Sequence, residues 1–251
     1  MGAEASTGVK SVSRVFDLLE LIADAGGDAT LSQLAAAAGL PLPTIHRLLR
    51  TLVGHGYARQ LANRRYALGP KLVRLGEVAN RQFGLIAKVQ LQGLVDRLGE
   101  TANLATIDGD RVVYISQVPS PHAMRMFTEV GGRARLHSTG VGKAILAQLS
   151  DDEVRDIAAR AGLPRATARS LGSIETLLAD LAICRERGYA IDDEEQELGV
   201  RCFAMPVPDM PVLTAVSVSG PMSRVSEEFA DLAIPMLRDA AADISAAASA
   251  A

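Results

Sequence analysis

The chain has 251 residues, 48% hydrophobic and only 4% aromatic, which allows two domains with aliphatic cores and a fold that need not use aromatic platforms. Taken whole, the net charge of -3 argues against a nucleic-acid binder. The charge is partitioned, however, with nine Lys or Arg against five Asp or Glu in residues 1–75 and 17 against 24 in the rest. A basic head on an acidic body suits a polyanion at one end only.

In chain order, residues 1–10 are expected to be disordered, since Met1–Gly8 is small and polar. A helix is predicted from about Ser11 to Ala23, with Val12, Val15, Phe16, Leu18, Leu19 and Ile22 on one broad side. Gly26-Gly27-Asp28 reads as a loop. Thr30 with Gln33 is a T-x-x-Q capping box, so a short helix starts there, and Gly39-Leu40-Pro41 breaks it. A second helix runs from about Pro43 to His55. Ile45, Leu48, Leu49 and Leu52 are spaced to face a core, leaving Pro43, Thr44, His46, Arg47, Arg50 and Thr51 outward. This spacing is that of a helix-turn-helix whose second helix enters a DNA groove.

Tyr57–Gln60 and Arg65–Leu68 read as two short strands around Leu61-Ala62-Asn63-Arg64, a wing carrying Arg64 and Arg65 to phosphates or the minor groove. No Asp or Glu falls between Asp28 and Glu77, whereas seven Lys or Arg do. Each phosphate that such a surface neutralises releases counterions. Residues 11–69 are therefore expected to form a winged helix-turn-helix, and residues 70–83 a linker helix with an apolar side suited to pairing two copies. Residues 84–251 are expected to form a second domain, with a helix break near Phe83-Gly84.

From Glu100 the period changes. Thr101–Ile107 and Arg111–Val118 read as strands joined by an Asp108-Gly109-Asp110 hairpin turn, and Met124–Thr128 as a further strand. Helices are predicted over Val141–Leu149, Asp151–Ala161, Ser173–Arg187 and from about Ser223 or Ser226 into the Ala/Ser tail. Strands are predicted at Tyr189–Ile191, Val200–Val207 and Leu213–Ser219. The mixture reads as an α/β sensory-type domain around one mixed or antiparallel sheet.

Gly140-Val141-Gly142-Lys143 is not a phosphate-binding loop, because Ala144 replaces the required Ser or Thr. What remains is a helix capped by Ser138 or Thr139, with N–H groups suited to a small carboxylate. Ser217 and Ser219 share one face of a strand. Asp192 to Glu197 forms an acidic cluster that composition assigns to a solvated loop or a helix start, and no His follows at metal-ligand spacing. His137 has no evident nucleophile–acid arrangement beside it. No catalytic residue, metal or cofactor is expected. Cys184 and Cys202 make neither a disulfide framework nor a zinc motif. No run is apolar enough to span a bilayer and no signal peptide is evident, so a cytoplasmic protein is expected.

These residues resemble the IclR family of bacterial transcriptional regulators, from about Val9 to Ile244. The likeness rests on GLPLPTIHRLLRTLVGHGYA, LHSTGVGKAILAQL and RGYAIDDEEQELGVRCFAMPV followed by VSVSGPMSRV. It implies a winged helix-turn-helix head and a GAF-like α/β effector-binding domain. It implies dimers or dimers of dimers on a palindromic or repeated duplex operator, with repression the expected sign. It also implies a small organic acid held by Gly140, Val141, Asp192, Cys202, Ser217 and Ser219, with Met124, Met126 and Leu136 as the apolar wall. Leu42 and Pro43 depart from the small or polar residues often found beside Thr44. The competing reading is a small-carboxylate-binding module or enzyme with a vestigial DNA-binding head.

Overall fold

The computed structural model describes residues 9–83, 85–126 and 128–249. The expectations for Met1–Gly8 and for a break at Gly84 lie outside them. The chain divides into two compact units, one up to Ala79 and one from Asn80.

The first unit contains α1 (Lys10–Asp24), β1 (Asp28–Ala29), α2 (Leu31–Ala38), α3 (Leu42–Gly54), β2 (Ala58–Gln60) and β3 (Tyr66–Leu68). Helix α1 starts at Lys10, inside the stretch expected to be disordered. Thr30 caps α2 as its sequence requires: Thr30 Oγ1 accepts from Gln33 N–H at 3.2 Å and Gln33 Oε1 accepts from Thr30 N–H at 2.9 Å. Gly39 then takes the left-handed conformation, at φ +63°, that turns the chain into α3. Leu34, Ile45, Leu49 and Leu52 meet Leu18 and Ile22 of α1 in one core. Burying each such side chain stabilises by about 1.5–3 kcal/mol.

Two expectations are corrected here. Val12 and Phe16 are exposed and do not enter the core, because α1 turns Leu18 and Ile22 inward, with Val15 and Leu19 half-buried beside them. Asp28 is not simply in a loop: β1 pairs with β3, placing Asp28 opposite Ala67 and completing a three-stranded sheet in the order β1-β3-β2.

Helix α4 (Lys71–Phe83) spans the division between the units. The second unit continues with α5 (Leu85–Leu98), β4 (Thr101–Asp108), β5 (Arg111–Val118), β6 (Arg133–Arg135), α6 (Gly140–Leu146), α7 (Asp151–Ala161) and α8 (Ile174–Arg187). It ends with β7 (Ala190–Asp193), β8 (Val200–Val207), β9 (Thr214–Pro221) and α9 (Glu227–Ser249). One six-stranded antiparallel sheet runs in the order β6-β5-β4-β9-β8-β7. Leu91, Leu94, Leu237 and Ile244 of α5 and α9 cover one face with Leu104, Val216 and Val218. The other face packs Ala105, Val112, Ala204 and Ala215 beneath Val141, Ile145, Val154 and Leu181 of α6, α7 and α8.

Among its described residues, Met124–Thr128 forms no strand. Its described residues lie in the loop between β5 and β6, and β5 pairs instead with Arg133–Arg135, a strand the sequence did not suggest. Among the described residues no helix is long and apolar enough to cross a membrane.

Candidate functional sites

In the first unit, burying Ile45, Leu48, Leu49 and Leu52 forces the opposite side of α3 outward. His46, Arg47, Arg50 and Thr51 are exposed together with Pro43, and Thr44 is half-buried. Thr51 Oγ1 donates to Arg47 O at 3.2 Å, so its hydroxyl is already engaged within the helix. Arg64, at the wing tip, is exposed and has φ +64°, where glycine would be the less strained choice. Arg65 is different from its neighbour. Its Nε donates to Asp28 Oδ1 at 2.6 Å and its Nη2 to Asp28 O at 3.1 Å. The β1–β3 pairing brings that carboxylate to it, so Arg65 braces the wing and does not reach outward as expected.

In the second unit, strand register brings together residues that lie far apart in the chain. Thr101, Ser219, Cys202 and Asp192 stand directly opposite one another across β4, β9, β8 and β7. Gln117, Asn103, Ser217, Ala204 and Ala190 form the next row, from β5 to β7. Opposite residues in antiparallel strands point to the same face, so the two rows make one polar strip on the side that carries α6.

Helix α6 begins on that strip. Thr139 caps it, accepting from Gly142 N–H at 3.1 Å and donating to Arg135 O at 2.8 Å. Ser138 does not cap; its hydroxyl donates to Gln196 Oε1 at 2.7 Å. A methyl group on Gly140 would lie 2.8 Å from Cys202 Sγ and 3.4 Å from Ala204 Cβ. Only glycine allows the helix end to sit this close to β8. Burial, and next the charge of Asp192, push the Cys202 thiol up to about 12, so it is a neutral packing group here and not a nucleophile.

The acidic cluster is a network and not the solvated loop its composition suggested. Asp192 is only 4% exposed; its Oδ1 accepts from the Glu195 N–H at 2.8 Å and the Gln196 N–H at 3.3 Å. Burial and then the neighbouring Glu195 push its carboxyl up to about 7. Lys143 is fully buried, with Nζ on Asp180 Oδ2 at 3.0 Å and in contact with Glu195 Oε1. Burial alone would lower its pKa, but Glu195 and Asp180 raise it above the usual lysine value. Asp193 pairs with Arg169 and Arg201, and Glu194 with Arg169. Among the described residues, no group of three or more His, Cys, Asp or Glu is arranged to hold a metal.

The loop between β5 and β6 lies along the β4 end of the strip. Thr101 Oγ1 donates to Met126 O at 3.4 Å. Arg224, paired with Glu100, donates to Met124 O at 2.9 Å. Met126 is half-buried, but the Met124 side chain is exposed. Leu136 is buried behind α6, in the core with Val141 and Leu146. Of the three residues expected to form an apolar wall, only Met126 therefore combines partial burial with an attachment to the strip. His137 is buried against Pro164 O at 3.2 Å, its pKa lowered by burial.

Sequence reading missed Thr101, Asn103, Gln117 and Thr128. The alternation Thr101-Ala102-Asn103-Leu104 carries the same signal as the serine face of β9 and could have revealed the first two.

Two family models match the chain. The IclR helix-turn-helix domain matches residues 11–62, and the bacterial transcriptional regulator IclR C-terminal model matches residues 78–246. The chain is 40% identical over 233 residues to the transcriptional repressor IclR of Escherichia coli (strain K12), covering 90% of this chain and 85% of that protein. Among solved structures, an IclR transcriptional regulator from Alicyclobacillus acidocaldarius matches with a TM-score of 0.86 at 28% identity, covering 96% of this chain and 99% of that one. An IclR homolog from Microbacterium hydrocarbonoxydans, complexed with 4-hydroxybenzoate, shares the fold with a TM-score of 0.83 at 24% identity, over 96% of this chain and 100% of that one.

Proposed function

The chain belongs to the IclR family of transcriptional regulators, with a DNA-binding helix-turn-helix and a C-terminal effector-binding domain, and we propose that it represses by binding a palindromic operator and answers to a small organic acid. The observation that carries the effector reading is the polar strip of Asp192, Cys202, Ser219, Ser217 and Thr101 beneath the Gly140–Val141 end of α6. Helix N–H groups and serine hydroxyls donate to a carboxylate. An ionised Asp192 would repel it. Held near neutrality by burial, Asp192 instead offers a proton to the anion or to its far hydroxyl, keto or amide group. The effector is bound and released, not converted: the relatives are regulators, and Cys202 is too firmly protonated to attack.

On the DNA side, Arg47 reads bases with Thr44 and Arg50 beside it, and Arg64 meets backbone or minor groove. Two copies pair their heads. The basis is an apolar groove of about 640 Å³ in the first unit, lined by Val15, Phe16, Leu19, Leu72 and Leu75 among others, beside the exposed Val12, Val73 and Val78. A second copy covers such a surface and sets two recognition helices one turn of duplex apart, or a multiple of it; a dimer of dimers forms on the operator. A regulator acting on bacterial DNA works in the cytoplasm.

Calorimetry on the full chain with pyruvate, lactate and 4-hydroxybenzoate, each beside its amide, tests the effector class. Binding is expected for free carboxylates only; preference for the amides, or steady conversion of any acid to product, overturns the reading. Light scattering that shows a monomer with and without DNA overturns the pairing.

A further inference from the structure

We infer that Asn103 is a positioning residue of the effector site, resting on the reading above that this site binds a carboxylate: it fixes Ser219 as a hydrogen-bond donor. Asn103 lies in β4, one of the two middle strands, 1% exposed, on the same face as Ser217 and Ser219. Its Nδ2 donates to Ser219 Oγ at 3.4 Å. An amide nitrogen can only donate, so Ser219 must accept there and its own proton must go elsewhere. Among the described residues no acceptor receives that proton. The free O–H is available to a bound anion.

The direction of the amide follows from the donors that meet its oxygen. Asn103 Oδ1 accepts from Thr128 Oγ1 at 2.8 Å and from Gln117 Nε2 at 3.2 Å. Thr128 in turn accepts from Gln117 Nε2. With Gln117 Nε2 as the donor, turning the Asn103 amide over would set its NH2 against the Gln117 NH2, two donors with no acceptor between them. The chain therefore runs one way: Gln117 N–H to Thr128 O–H to Asn103 C=O, and Asn103 N–H to Ser219 O–H. Each donor polarises the next, which strengthens the last one. The opposite polarity would have Ser219 donate its proton to Asn103 and face a carboxylate with lone pairs. Thr128 sits in the loop between β5 and β6, so this chain also links that loop to the sheet residue that receives the ligand.

The test is a double-mutant cycle on the full chain, titrated with pyruvate, lactate and 4-hydroxybenzoate. Asn103→Ala is expected to weaken carboxylate binding about three- to tenfold, the worth of one hydrogen bond. On a Ser219→Ala background the same change is expected to cost less than about twofold, because Asn103 acts through that hydroxyl. Thr128→Val supplies the same reading from a half-exposed position should Asn103→Ala not fold; Thr128→Ser, which keeps the hydroxyl, is expected to bind like the unmodified protein. Equal losses with and without Ser219 would assign Asn103 to direct contact or to scaffolding and overturn the inference. So would an unchanged affinity in both Asn103→Ala and Thr128→Val. If the unmodified chain binds none of the three acids, the carboxylate reading falls first and this inference with it.

Discussion

Lys143→Met is the most demanding test of the second unit's interior. Lys143 is 0% exposed, and its ammonium is held 3.0 Å from Asp180 and in contact with Glu195, itself 6% exposed. At an effective dielectric of about 20, a unit pair 3 Å apart attracts by about 5 kcal/mol, which offsets the several kcal/mol of desolvation that each ion carries. Removing the lysine abolishes the attraction but leaves Glu195 buried. Its Oε2 already lacks a hydrogen-bond partner, so nothing nearby can take up the charge. Asp180 is 26% exposed and is partly screened by water. The loss should therefore be about 3–5 kcal/mol, dominated by Glu195. For a unit of this size each kcal/mol lowers the midpoint by about 2–4 °C.

Urea and thermal unfolding of the full chain measure this loss directly. Two further results follow from the same argument. Adding Glu195→Leu to Lys143→Met should recover part of the loss, since the orphaned charge is gone. The loss should also shrink as pH falls, because without Lys143 nothing offsets the burial that favours the protonated form of Glu195, and a neutral carboxyl needs no cation. A penalty below about 1 kcal/mol, or one that is the same at pH 5 and pH 8, would refute the claim that this ion pair is buried and mutually dependent.

Gly140→Ala sets a methyl 2.8 Å from Cys202 Sγ, so it should cost about 1–3 kcal/mol by overpacking and remove acid binding; Cys202→Ala in the same chain should restore much of the stability, and no recovery would mean that α6 does not rest on that sulfur. Asp192 is pushed up to about 7 from 3.8, so below about pH 4 the folded and unfolded chains both hold its proton and its stabilising contribution is full. As pH rises toward about 7 only the folded state still holds it, and stability should fall by up to about 1.4 kcal/mol per pH unit. Asp192→Asn should flatten that slope in urea titrations, and an identical slope in both proteins would contradict it. On DNA, Arg47→Ala should cost about 1–3 kcal/mol of discrimination between operator and random duplex, whereas Arg64→Ala should weaken both and lower the salt slope by about one; equal losses on both duplexes for Arg47→Ala would remove it from base reading.

The sequence by itself determined the elements whose signals are local. Thr30 and Gln33 sit three residues apart, the reach of one helical turn, so the capping box announced α2 without help from the rest of the chain. The spacing of Ile45, Leu48, Leu49 and Leu52 fixed which side of α3 is buried, and hence that Arg47 and Arg50 are exposed. Asp108-Gly109-Asp110 marked the β4–β5 hairpin, since a tight turn is written in its own residues. The alternation of Ser217 and Ser219 with Val216 and Val218 fixed their common face, because side chains in a strand change sides at every residue.

Tertiary structure alone decided which distant residues share a site. Asn103 and Ser219 are 116 residues apart, Lys143 and Glu195 52, and Arg65 and Asp28 37. Only the order β6-β5-β4-β9-β8-β7 and its register bring Thr101, Ser219, Cys202 and Asp192 into line. In the first unit, Arg64 and Arg65 read alike until β1 pairs with β3 and delivers Asp28 to one of them. The acidic run misled for the same reason. A carboxylate is a surface group unless a buried cation and free N–H groups meet it, and for Glu195 and Asp192 those partners came with α6 and with the turn after β7. Met124–Thr128 has strand-like composition, but a strand needs a neighbour to take up its N–H and C=O groups. Arg133–Arg135 occupies the edge of β5 instead.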